Sequence, residues 1–272
     1  MKKFVTVALI AAMTACFAVG CTSKSSSSAA SSSSTADSSA ADSSASDSSA
    51  ADSSASDSSA ADSSASDDVA VMSYADYVAA ELNSAVCVET YIQAKQSWWD
   101  NKATFYTQNN EGAYFIYEMP CTQEEYDSLV TGTKIRVEGY KSEWSGEIEI
   151  TDAKFTIIED DTLIVTAEDV TSLLGTDELI NKQNQFVCFK DMTVKSVSFK
   201  NDEPGDDIYV TFTKDGADYD FCLEYYLNGN DEQLYETVSN LKEGDVVSVD
   251  AFLYWYNGAN PHITNVIVGE AE

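Results

Sequence analysis

His262 is the only histidine in this chain of 272 residues, so imidazole chemistry has one place to happen. A Ser, Cys or Thr nucleophile would have to find that ring, and a zinc site built from several histidines is excluded. Flanked by Pro261 and Ile263, the residue reads as the start of a strand beside a loop, where a structural hydrogen bond is the simpler use. Carboxylates are abundant instead. Residues 69–272 hold 38 Asp and Glu, so some pair falls at glycosidase spacing by chance, and counting identifies no catalytic pair. The acidic runs at 202–207, 215–220 and 228–231 offer oxygen ligands for calcium. None has the alternating ligands and closing glutamate of an EF-hand loop, and turn chemistry explains them. The chain is therefore read as non-catalytic, with no cofactor and no metal.

Flat aromatic rings carry the strongest binding signal. Trp98, Trp99, Tyr140 and Trp144 in the first half of the globular region, and Tyr254, Trp255 and Tyr256 in the second, are the ligand-binding candidates. Such rings stack on sugars or bases, although strands are rich in aromatic residues anyway and some members will fill a core. If Tyr254, Trp255 and Tyr256 lie on a strand, alternation sets Trp255 against its neighbours. One of the two faces must then be exposed, paired or packed between domains.

Four cysteines fall in the globular region: Cys87, Cys121, Cys188 and Cys222, each first member followed by a second 34 residues on. An exported chain permits disulfides. Pairing within each half, Cys87 with Cys121 and Cys188 with Cys222, is the preferred arrangement, and four buried free thiols are the alternative.

The elements that must position these residues come in two similar sets. A β-rich run at 85–95 corresponds to one at 186–196. Hairpin signals follow, with Gly112 and Gly216 each ending a polar turn between β-forming runs. Helices are expected after caps at Ser73 with Asp76, Thr122 with Glu125, Thr166 with Asp169, and Asn230 with Gln233. Strands led by Gly132 and Gly244 come next, and runs at 147–151 and 262–268 close the halves. Three strands, a helix and two strands in about a hundred residues look like an OB-fold, a five-stranded partly open barrel. The expected fold class is mostly β with short helices: two tandem OB-fold-like barrels, at 69–163 and 164–272, with a β-sandwich or one fused sheet as the alternative.

Ahead of them, residues 1–21 read as an export signal: Lys2 and Lys3, an apolar stretch too short to span a bilayer comfortably, then small residues before Cys21. Cys21 is the expected lipidation site, with Ala18 standing where lipoprotein signals prefer Leu. Cys16 is a poorer second candidate, and an ordinary secretory peptide is the remaining alternative. Residues 22–68 are almost wholly Ser, Ala and Asp, a composition expected to stay disordered as a tether. The expected location is the outer face of the cytoplasmic membrane.

The segments Gln96-Ser97-Trp98-Trp99-Asp100, Gly139-Tyr140-Lys141-Ser142-Glu143-Trp144 and Tyr254-Trp255-Tyr256-Asn257-Gly258 resemble those of tandem OB-fold lipoproteins of Gram-positive gut bacteria. That resemblance implies fold and location and supplies no activity. Charge narrows the partners. The chain carries −31 overall, and residues 69–272 have 12 Lys and Arg against 38 acids. Such a surface disfavours nucleic acid and favours a neutral or cationic ligand: a glycan, a peptide or an envelope protein. Single-stranded nucleic acid would need Lys95, Lys102, Lys134, Arg136 and Lys141 to cluster with Trp98 and Trp144. A carboxylate-dependent hydrolase is the more distant alternative.

Overall fold

The computed structural model describes residues 70–227 and 231–269; Cys16, Cys21, the tract 22–68 and Asn230 lie outside them. The first half contains α1 (Tyr74–Ala79), β1 (Ala85–Lys95), β2 (Lys102–Gln108), β3 (Ala113–Pro120), α2 (Gln123–Ser128), β4 (Thr133–Trp144) and β5 (Glu147–Thr162). The second contains β6 (Glu168–Asp169), β7 (Phe186–Phe199), β8 (Ile208–Lys214), β9 (Ala217–Leu223), α3 (Glu232–Ser239), β10 (Val246–Phe252) and β11 (His262–Val268).

Strand order in the first half is β1-β2-β3-β5-β4, closed by the β1–β4 pairing. In the second it runs β7-β8-β9-β11-β10, closed by the β10–β7 pairing, with β6 added beside β7. Third and fifth strands run parallel in both, through Phe115–Glu149 and His262–Cys222, and each helix between third and fourth strands occupies the same place in the order. The chain is thus mostly β, two OB-like five-stranded barrels in tandem.

Alternation explains the cores. Along β1, Val86, Val88 and Ile92 point inward to meet Phe105, Ile116, Ile135 and Ile150. Along β7, Val187 and Phe189 do the same against Phe212, Phe221 and Val249. At Gly139, where β4 shifts register, a Cβ would lie 2.7 Å from both the Ile150 side chain and the Thr151 carbonyl, so the wall closes only on glycine. A third cluster, Tyr106, Phe115, Leu227 and Phe252, joins the barrels.

Several helix expectations change. Ser73 caps α1 and Thr122 forms a full capping box with Glu125 on α2. Thr166 caps no helix: Glu168 and Asp169 pair with β7, Asp169 accepts from the Thr171 hydroxyl and amide, and the helical turns before β7 are 3-10 segments at Thr171–Leu173 and Asp177–Lys182. The cap of α3 is Asp231, whose side chain accepts from the Leu234 amide. Nor do Tyr254, Trp255 and Tyr256 alternate on a strand. They lie in the β10–β11 loop, which doubles back through a Trp255–Ala259 bridge.

The preferred disulfides do not form either, and Cys87, Cys121, Cys188 and Cys222 are free and buried. Cys87 lies on the outward side of β1, among Arg136, Glu138 and Glu89, whereas Cys121 joins the first core. Through the closed side of the barrel Cys222 pairs with His262, His262 with Phe252 and Phe252 with Phe186, so Cys188 lies three strand spacings from Cys222 and two residues further along β7. That separation is far beyond disulfide reach.

Candidate functional site

A cleft of about 620 Å³ opens where the β1–β2 loop of the first barrel meets the end of β9 in the second. Its first wall is built by a two-residue turn. Trp99 and Lys102 exchange backbone hydrogen bonds at 3.0 Å around Asp100 and Asn101, both with positive φ, the type I′ geometry that small polar residues accept. This turn holds the Trp99 ring out to solvent at 77% exposure, while Trp98 is half-buried and donates its indole N–H to the Cys121 carbonyl at 3.0 Å.

The second wall is Glu224, Tyr225 and Tyr226. The Ser97 amide donates to the Tyr226 carbonyl at 2.9 Å, and the Gln96 amide reaches both Glu224 oxygens at 2.7 and 2.9 Å. Those bonds fix the two walls together. Tyr226 remains 52% exposed and meets Tyr225 edge to face at 5.5 Å. The floor carries Lys102, held to Glu118 at 2.7 Å.

The remaining candidates separate from this cleft. Tyr140 and Trp144 are exposed on β4. Tyr254 packs on Phe115 and stacks on His262 at 4.5 Å inside the seam between barrels. Trp255 covers Gly146, whose Cβ would lie 2.8 Å from the indole, and Tyr256 points to solvent. Tyr225 and Tyr226 are not among the leading candidates that the sequence offers. Only the β9 end meeting the β1–β2 loop makes them a wall.

Strands two and three with the flanking loops form the usual ligand face of an OB barrel. In the first barrel, Tyr106 and Phe115 on that face are buried under Phe252 and Tyr254 of the second. In the second barrel the face carries Asp218 and Asp220, hydrogen-bonded to Thr213 and Thr211. Lys195 pairs with Asp218 and holds that carboxyl below its ordinary range, with help from Thr213.

The five cations considered for nucleic acid are each engaged by acceptors of the protein itself. Lys95 donates to the Tyr126 carbonyl, Lys134 pairs with Glu89 at 3.3 Å, and Arg136 lies 3.5 Å from Glu138. Lys141 is buried and donates to the carbonyls of Tyr77, Val78 and Ala80 at the end of α1. Lysines are likewise spent in the acidic loops, where Lys200 holds Asp206 and Asp207. Among the described residues no group of three or more His, Cys, Asp and Glu comes together as a metal site, and no helix is long and apolar enough to cross a membrane.

His262 is buried, with Nδ1 at 2.9 Å from the Tyr106 hydroxyl and 3.2 Å from Glu224. It lies behind the cleft as part of the seam.

No family model matches the chain, and no curated protein matches it. Similar solved structures include a murine DNA-binding protein bound to double-stranded DNA, 10% identical, covering 68% of this chain and 97% of that one at TM-score 0.34. A replication protein A heterotrimer bound to single-stranded DNA is 13% identical over 69% of this chain and 49% of that one, TM-score 0.30. The p204 HINb domain is 10% identical over 70% of this chain and the whole of that one, TM-score 0.32. Likeness at this level carries no argument about what this chain binds.

Proposed function

We propose that this is a non-catalytic binding protein whose ligand, a glycan or a peptide, enters the cleft between the barrels and stacks on Trp99 and Tyr226. The observation that carries the reading is that both walls present exposed rings, one from each barrel, around hydrogen-bonding groups at Gln96, Ser97 and Glu224. Large exposed rings beside convergent polar groups mark binding sites. Lys102 at the cleft is paired, and Glu118 and Glu224 line it, which favours a neutral or cationic ligand over a polyanion.

Single-stranded nucleic acid is the second reading, because rings stack bases as well as sugars. The DNA named for the similar structures makes it the natural competitor in a test. Against it stand the paired lysines and the two acidic or covered OB faces.

A tryptophan-fluorescence titration of the whole chain at low and high salt separates the readings. Saturable quenching by an oligosaccharide or a basic peptide is expected, whereas tight, salt-sensitive quenching by single-stranded DNA would replace the first reading with the second. We also place the protein on the outer face of the cytoplasmic membrane through a lipid on Cys21, supported by the charged, apolar and small-residue order of residues 1–21. Radiolabelled fatty acid should enter the chain and fail to enter Cys21→Ser.

A further inference from the structure

Glu147, the first residue of β5, is fully buried in the seam. Both partners of its Oε2 come from the second half of the chain: the Trp255 amide at 2.8 Å and the Gln183 side-chain amide at 3.3 Å. Its Oε1 is buried without a hydrogen-bond partner, and so is Oδ1 of Asn184, whose side-chain amide is one of the contacts that favour the ionised carboxyl. The Asn184 Nδ2 donates to the Ile148 carbonyl at 3.1 Å. That bond fixes the amide's direction, since a flipped amide would set two carbonyl oxygens together. An ionised Glu147 would still leave Oε1 without a well-formed hydrogen bond in a dry site.

We propose that Glu147 is held in its neutral acid form at neutral pH, and that this uncharged, buried side chain is a clasp between the two barrels that alkaline pH releases.

The surroundings agree. Glu149 lies on the same strand, Tyr77 faces from α1, Tyr106 from β2 and Tyr254 from the β10–β11 loop, with Glu224 beyond. None supplies a positive charge, and Lys141 on neighbouring β4 gives its ammonium to the α1 carbonyls. Burial, with Glu149 adding to it, pushes the Glu147 carboxyl up to about 8 against the opposing amide contacts. The folded chain thus keeps a proton that the unfolded chain releases above the ordinary glutamate range of about 4.3. The stabilisation is fully present below that value, and it is lost as pH rises through about 8.

This clasp is independent of what the cleft binds, and melting of the whole chain without ligand tests it. Glu147→Gln has the shape of the acid and stays uncharged at every pH. From pH 5 to pH 9 the wild-type melting temperature should fall by several degrees relative to this variant, and parallel curves would overturn the proposal. Should the variant not fold, carboxyl carbon NMR of the wild type decides the matter: a Glu147 signal that titrates above pH 7 supports the clasp, and one already ionised at pH 6 removes it.

Discussion

The Tyr106 hydroxyl lies 2.9 Å from Nδ1 of His262, so β2 of the first barrel and β11 of the second share a buried hydrogen bond. The Tyr106 ring also stacks on Phe252 at 4.6 Å. Tyr106→Phe keeps the ring and loses the hydroxyl, and should cost about 1–2 kcal/mol in urea unfolding. Loss of less than a few tenths would mean that Glu224 alone satisfies His262.

Trp99 and Tyr226 can be removed without touching a core. Trp99→Ala and Tyr226→Ala should each leave stability within about 0.5 kcal/mol. Each should weaken a cleft ligand by tenfold or more, as about 1–3 kcal/mol per stacked ring implies. Isothermal titration with whichever ligand quenches the wild type provides the check. Unchanged affinity in both variants would move the site elsewhere.

Gly146 has φ near +93°, and a Cβ there would meet the Trp255 indole at 2.8 Å. Gly146→Ala should therefore cost more than the conformational strain alone, about 1–3 kcal/mol, and shift Trp255 emission as the ring moves. A melting curve superimposable on the wild type would show that the loop yields freely.

Lys141 closes α1 through three carbonyls at 2.8 to 3.0 Å. Lys141→Met keeps the apolar stem and strands those acceptors, so a loss of about 2–3 kcal/mol is expected in denaturant titration. Burial already holds its ammonium below the ordinary lysine range, so the charge stays on by virtue of those oxygens.

Alkylation followed by mass spectrometry distinguishes the cysteine states. Cys87, Cys121, Cys188 and Cys222 should resist a thiol reagent in the folded chain and react fully after unfolding without reductant. Burial raises the Cys188 thiol to about 11 and Cys222 further, which slows thiolate chemistry in the native state.

Local signals in the sequence match local features of the structure. Hairpins ending at Gly112 and Gly216, the Thr122–Glu125 capping box and the closing strand at His262–Val268 all follow from neighbours a few residues apart. The Thr166 reading fails because pairing of Glu168 and Asp169 with β7 outweighs a weak helix start. The cleft was half legible. Trp98 and Trp99 stand out as a pair, but the bond from Ser97 to Tyr226 joins residues 129 apart, and no periodicity encodes it. Glu147 carries no sequence signal at all, being one carboxylate among 46 until the seam buries it.

The covering of Tyr106 and Phe115 by Phe252 and Tyr254 also sets a schedule for synthesis. Phe252 leaves the ribosome 137 residues after Phe115, which at about 5–20 residues per second leaves the apolar face of the first barrel bare for roughly 7–27 s. That interval is a period of chaperone dependence, and it ends only when the last hairpin arrives.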